Sequence, residues 1–173
     1  MKGFTRREPL FSLCGLKCGL CRMHLGGYCP GCGGGEGNQS CAIARCSLEH
    51  GGPEFCWDCP EYPCARYEGF DECDSFVPHS ARARDAAEAR SLGIEAYMAR
   101  MRESAALLEK LLGGYNDGRR KTLFSTAAYL LPPEDLRAQA EGLELKERAA
   151  LAARLLTEAA QARGHSLKLV KKP

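Results

Sequence analysis

The chain has 173 residues, with 24 Lys/Arg against 22 Asp/Glu and 11 cysteines. That length allows one domain, or two small ones, with a modest core. A net charge of +2 is too small to single out a polyanion as partner, and no groove-reading motif supports a nucleic acid. No stretch is long and apolar enough to cross a bilayer, and MKGFTRREPLFSL lacks the uninterrupted apolar run of a signal peptide, so a cytoplasmic protein without a membrane partner is expected.

Every cysteine lies between Cys14 and Cys73. The charge changes at about the same place: residues 1–79 hold 7 Lys/Arg and 10 Asp/Glu, residues 80–173 hold 17 and 12. We therefore divide the chain into a Cys-rich metal-binding region, 1–79, and a helical region, 80–173, forming one compact unit. In a reducing compartment so many thiols, odd in number, point to metal rather than to disulfides.

The first region is filled with turn residues, as in YCPGCGGGEGNQSC and EHGGPEFCWDCPEYPC. A segment so poor in apolar runs needs cross-linking by metal to offset its chain entropy. A Cys-x2-Cys pair turns two thiolates toward one ion, and two such turns complete a tetrahedral zinc site. Cys18/Cys21 with Cys29/Cys32 forms one such set, and Cys56/Cys59 with Cys41 and Cys46 a second; Cys14, Cys64 and Cys73 are left over. The Cys14-x3-Cys18-x2-Cys21 spacing is also that of cluster-binding radical enzymes, but nothing after Cys73 alternates strand with helix as their barrel requires. A plain iron–sulfur cluster on Cys14, Cys18, Cys21 and a distant cysteine such as Cys64 stays open beside zinc. His24 and His50 stand three and four residues after a cysteine, at ligand spacing, yet with many thiols at hand a solvent-facing role is the simpler reading. Trp57, Tyr62, Tyr67, Phe70 and Phe76 suit either a base-stacking surface or, more simply, a small core around the metal.

From residue 80 the text is Ala-, Arg- and Glu-rich with helical period. Residues 81–91 make a short helix with few apolar anchors. In the second, Ile94, Tyr97, Met98, Met101, Ala105, Leu108, Leu111 and Leu112 form one stripe, ended by Gly113-Gly114. A turn at Asn116-Asp117-Gly118 starts a third, with Phe124, Ala127, Ala128 and Leu131 on one face and Pro132-Pro133 ending it. Pro133-Glu134-Asp135 opens a fourth, closed by Gly142. Residues 145–163 form a fifth, facing inward through Leu151, Ala152, Leu155, Leu156 and Ala159, with Gly164 as cap. HSLKLVKKP suits a short terminal strand. The expected fold is mainly α: an irregular, metal-stapled N-terminal half packed on a bundle of four to five helices.

Arg119, Arg120 and Lys121 at the start of the third helix oppose its dipole and are the candidates for an anion. That anion is either a phosphate-bearing ligand or a tetrathiolate zinc site, whose net charge is about −2. A solvated basic face serves equally well.

The order CGLKCGLC, CPGC, single cysteines, FCWDCPEYPC and then YNDGRRKTLFSTAAYLLP resembles the Cys-rich prokaryotic proteins catalogued as domain of unknown function 3795, from about Leu13 to the last residues. The resemblance implies a zinc-ribbon-like cytosolic protein of bacteria or archaea, with no established reaction. It carries over Cys14, Cys18, Cys21, Cys29, Cys32, Cys41, Cys46, Cys56, Cys59 and Cys64 as metal ligands, and omits Cys73. It also matches Asn116, Asp117, Gly118 and Arg119, implying that this turn touches the metal half. Ser125 stands where relatives often have a further cysteine, so no role for that thiol is expected here. Together these readings give a protein binding two zinc ions as an interaction or regulatory module with a protein partner. The alternatives are an iron–sulfur redox partner and a thiol-dependent enzyme, the last without a recognised catalytic constellation.

Overall fold

The computed structural model describes residues 2–35, 41–115, 118–140 and 148–171. Among them the fold is mainly α: α1 (Arg22–Leu25), α2 (Ala42–Glu49), α3 (Arg82–Leu92), α4 (Ile94–Gly114), α5 (Lys121–Leu130), α6 (Pro133–Ala140) and α7 (Arg148–Ala162). Single-turn 3-10 helices occupy Cys18–Leu20, Cys56–Asp58 and Ala65–Tyr67. Among the described residues no helix is long and apolar enough to cross a membrane. The expected turn at Asn116-Asp117, the Gly142 stop and residues 145–147 of the fifth helix lie outside the described residues.

Helix α4 is the spine. Its three- and four-residue repeat buries Tyr97, Met98, Met101, Leu107, Leu108 and Leu111 along one side. α3 meets it at Gly93, whose φ of +84° ends one helix and opens the next. Helices α5, α6 and α7 close the bundle core around Leu108, Leu111, Phe124, Ala127, Leu136 and Leu156. α5 was expected to bury one face, but Phe124 through Leu130 are all buried. The cause is its central place: α4, α6 and α7 pack on it, and so does the Cys18–Leu20 turn of the Cys-rich half. In α7 the buried positions are Ala152, Ala153, Leu156 and Ala160, while Leu151 and Leu155 are half-buried. Small alanines let the helix approach the core closely, so its contact line is shifted from the leucine-based expectation.

Among the described residues the expected C-terminal strand is not formed. The Val170 N–H donates to Asp74 Oδ2 and the Asp74 N–H donates to the Val170 carbonyl, both at 2.7 Å. The tail meets one residue of irregular chain rather than an edge able to offer a ladder.

A second cluster joins residues from both sides of position 80: Phe11, Leu20 and Phe55 pack with Tyr97, Met98, Met101 and Leu130. Phe11 meets Tyr97 edge-on at 5.0 Å, and Phe55 stacks on Trp57 at 4.2 Å. By contrast, the cluster within the Cys-rich half has four buried apolar residues, Phe4, Leu13, Ile43 and Ala44, with Cys14, Cys32 and Cys56 packed against it.

Two arginines brace this apolar-poor half. Arg6 donates to the carbonyls of Glu54 (2.9 Å), Phe11 (2.9 Å) and Cys32 (3.4 Å) while lying over the Phe55 ring. Arg82 of α3 makes a two-pronged pair with Asp71, both bonds 2.7 Å, and lies over the Tyr67 ring at 4.2 Å. Each replaces missing apolar contact with directed bonds to loop backbone or carboxylate.

Candidate metal centre

Two of the Cys-x2-Cys segments have the same local build. The N–H of Cys21 donates to the Cys18 carbonyl and that of Cys59 to the Cys56 carbonyl, both at 3.0 Å, so each pair closes a single 3-10 turn. The third, Cys29-Pro30-Gly31-Cys32, is held from outside by a bond from the Cys32 N–H to the Pro9 carbonyl at 2.8 Å. Gly31 has φ +93°, and a Cβ there would stand 2.5 Å from that same carbonyl, so only glycine fits this approach. Gly15, at φ +97°, likewise lets the Cys14 turn press against Ala86 and Arg82 of α3.

The turns collect the thiols into two neighbourhoods. Cys18 is influenced by Cys32, Cys14, Cys21 and Cys29. Cys46, Cys56, Cys59 and Cys64 line a small cavity of about 30 Å³ with Ile43, His50 and Tyr67. Cys64, left over by spacing, lines this cavity, and Cys41 does not. Cys41 instead precedes α2 and influences Cys14. All eleven cysteines are free thiols. Among the described residues no group of three or more Cys, His, Asp or Glu side chains is placed so that it could hold a metal ion.

Burial dominates the thiol chemistry. It pushes Cys14 up to about 12, against the lowering effect of the Ser12 hydroxyl, 3.1 Å away. It also raises Cys18, and it pushes Cys56 up to about 11 despite the adjacent Tyr67 hydroxyl. As thiols these groups keep their protons; a bound divalent cation would displace them and supply the charge that makes the buried thiolates stable.

The histidines take different places. His24 Nδ1 bonds the Cys29 carbonyl at 2.9 Å and braces the knuckle backbone. His50 Nδ1 donates to the Cys46 carbonyl at 2.8 Å, stands 3.6 Å from Cys46 Sγ, and its Nε2 is 3.2 Å from Glu61 Oε1. That carbonyl first, and Glu61 second, raise the imidazole above its ordinary value. With Nδ1–H committed to the carbonyl, the neutral ring would aim a lone pair at the Glu61 carboxylate, so the doubly protonated form is favoured. Arg66, also raised by the Cys46 sulfur, is a second cation there. Sequence spacing pointed to His50 but gave no sign of Glu61 or Arg66, which arrive from a separate loop.

Lys121 opens α5, with Arg120 as its N-terminal flank. At this end Arg22 of α1 donates from Nη1 to Thr122 Oγ1 at 3.4 Å. Of the aromatic residues, Tyr67 and Phe70 pack on the apolar cluster of the Cys-rich half, and Phe76 is 47% exposed. No family model, curated protein or solved structure matches the chain.

Proposed function

We propose that the chain is a cytosolic zinc-stapled module that presents a binding surface to a protein partner. In this reading one ion is held by Cys18, Cys21, Cys29 and Cys32 and a second by Cys46, Cys56, Cys59 and Cys64, with Cys14 and Cys41 beside the first set. The observation that carries it is the small cavity that Cys46, Cys56, Cys59 and Cys64 line together. Four soft thiolates are the donor set of structural zinc. Four thiolates around one zinc ion leave a charge of about −2, and Arg66 and His50 beside Cys46 offset it. The resemblance to domain of unknown function 3795 leads in the same direction. Between the cysteine pairs the chain exposes Leu25 and Tyr28, and farther on Leu48, as contact residues for the partner.

The test is metal content per chain with a visible spectrum, on protein purified without oxygen. About two zinc ions per chain and no visible absorbance agree with the proposal. Iron with matching sulfide and a brown band would replace it with an iron–sulfur redox protein.

A second reading is favoured by the order Cys46, His50, Glu61, which places an imidazole between a thiol and a carboxylate. His50 would act there as a cation stabilising a Cys46 thiolate, not as the base removing its proton. Rapid alkylation of Cys46 in the metal-loaded protein, with the other thiols protected, would support a thiol-dependent reaction; uniform protection would oppose it.

A further inference from the structure

Many guanidiniums of this protein have carboxylate partners: Arg82 pairs with Asp71, Arg100 with Glu134, Arg137 with Glu103 and Arg163 with Asp135. Around Phe76 the pattern is different. This residue lies in the loop before α3 and is 47% exposed, with the Arg22 guanidinium over its ring at 5.4 Å from the centre.

A chain of contacts sets further cations beside the ring. Arg22 Nη1 donates to Thr122 Oγ1 at 3.4 Å, which brings up Lys121 at the start of α5. On the other side Asp74, two residues before Phe76, exchanges two 2.7 Å bonds with the backbone of Val170, which fixes the tail and with it Lys168 and Lys171. Arg22, Lys121, Lys168 and Lys171 are all exposed, and among the described residues none of the four is in an ion pair. The neighbouring carboxylate is engaged elsewhere. Asp74 Oδ1 accepts from the His79 N–H at 2.8 Å and Oδ2 from the Val170 N–H.

Like charges kept together repel, a small cost in water that a bound polyanion relieves. Scattered cations and a lone exposed ring are each ordinary on a surface. An aromatic ring in water with cations on both sides is the pairing that takes a single-stranded nucleic acid, phosphates on the cations and a base on the ring.

We infer that this face binds a single strand of nucleic acid, its backbone along Lys121, Arg22 and the tail lysines, and one base against Phe76 and the Arg22 guanidinium. A duplex fits less well, because a helix end, a loop and the tail offer no helix or ribbon to a groove. An anionic membrane also fits less well: burying Phe76 among acyl chains would take the Arg22 charge above it out of water. The whole-chain charge of +2 conceals this local excess. The face goes beyond the protein partner proposed above and does not depend on which metal the thiols hold.

The test uses the full chain with its metal as purified. Fluorescence anisotropy is measured with labelled oligo(U) and oligo(dT) of about twelve nucleotides across a salt series. At least one strand should bind saturably, with a logarithmic salt slope of about −2 to −3, the value for four phosphate contacts at about −0.7 each. Either strand suffices, and the tighter of the two shows which sugar is preferred. Arg22→Gln, Lys121→Gln and Lys171→Gln change exposed side chains, so the melting temperature should hold while each makes the slope shallower by about 0.7. Phe76→Ala should weaken binding at least about fivefold with the slope unchanged. Failure of both strands to bind, whether or not vesicles containing phosphatidylserine are bound instead, would overturn the assignment. So would a slope that all three cation variants leave unmoved, or full affinity in Phe76→Ala.

Discussion

The two halves of the molecule solve the stability problem by different means. Among the described residues the helical half has a core of twelve buried residues, six of them leucines, around Phe124, and each fully buried Leu or Phe contributes about 1.5–3 kcal/mol. Among the described residues the Cys-rich half has four buried apolar residues in a cluster of its own, shares Phe11, Leu20, Phe55 and Val77 with the cluster at the junction, and is braced by Arg6 and Arg82. The difference teaches where each half is vulnerable: the first to loss of volume, the second to loss of whatever joins its turns.

The sharpest way to break this comparison is to remove the metal proposed for the thiols. Chelation should abolish the near-ultraviolet circular dichroism of Trp57, the only tryptophan, which stacks on Phe55. Most of the far-ultraviolet helical signal should persist, because α4 to α7 carry their own core. A Trp57 signal indifferent to chelation would show that the thiols do not staple this half.

The next effect is a cavity in the bundle. Phe124 is fully buried in central α5, and Phe124→Ala should cost about 3–5 kcal/mol in denaturant unfolding, whatever the metal occupancy. An effect that vanished on chelation would mean that the halves do not differ as described.

How much of this was legible follows from the kind of force involved. Helix α4 was readable because apolar side chains recur with the helical period, and the Pro133 start of α6 because proline suits a first turn. α3 was readable as a helix but not in its role. Its buried Arg82 and Asp85 look like surface residues in an Ala-rich text, and their partners Asp71 and Lys17 are remote in sequence. The same limit applied to the thiols. Spacing found the turns 18–21 and 56–59, but only the path of the intervening loops brings Cys64, rather than Cys41, to the cavity with Cys46. Loop paths set by Arg6 bonds to carbonyls leave no periodic trace.

A comparably local effect lies where the halves meet. Asp85→Asn leaves Lys17 as an uncompensated buried cation and should cost about 3–5 kcal/mol, whereas the double variant Lys17→Met, Asp85→Leu should lose far less. A thermal or denaturant double-mutant cycle reads the difference. Equal losses would mean that the pair is held for packing alone, and would place the junction with the helical half in its reliance on volume.

The smallest effect is a titration at the same junction. A guanidinium only donates, so the 3.1 Å contact from Arg84 requires His165 Nε2 to accept, with the proton on Nδ1. Burial first, and the nearby Arg84 charge second, lower the imidazole below its ordinary 6.5. The sign follows directly: as pH falls from 6.5, the unfolded chain takes up a proton that the folded one refuses. The stability associated with neutral His165 is therefore present above 6.5 and is lost as pH falls toward the folded value. The imidazole Cε1–H resonance should titrate below 6.5 in the native protein and move upward in Arg84→Gln. A resonance that titrates at its ordinary value in both proteins would show that the contact does not hold the ring.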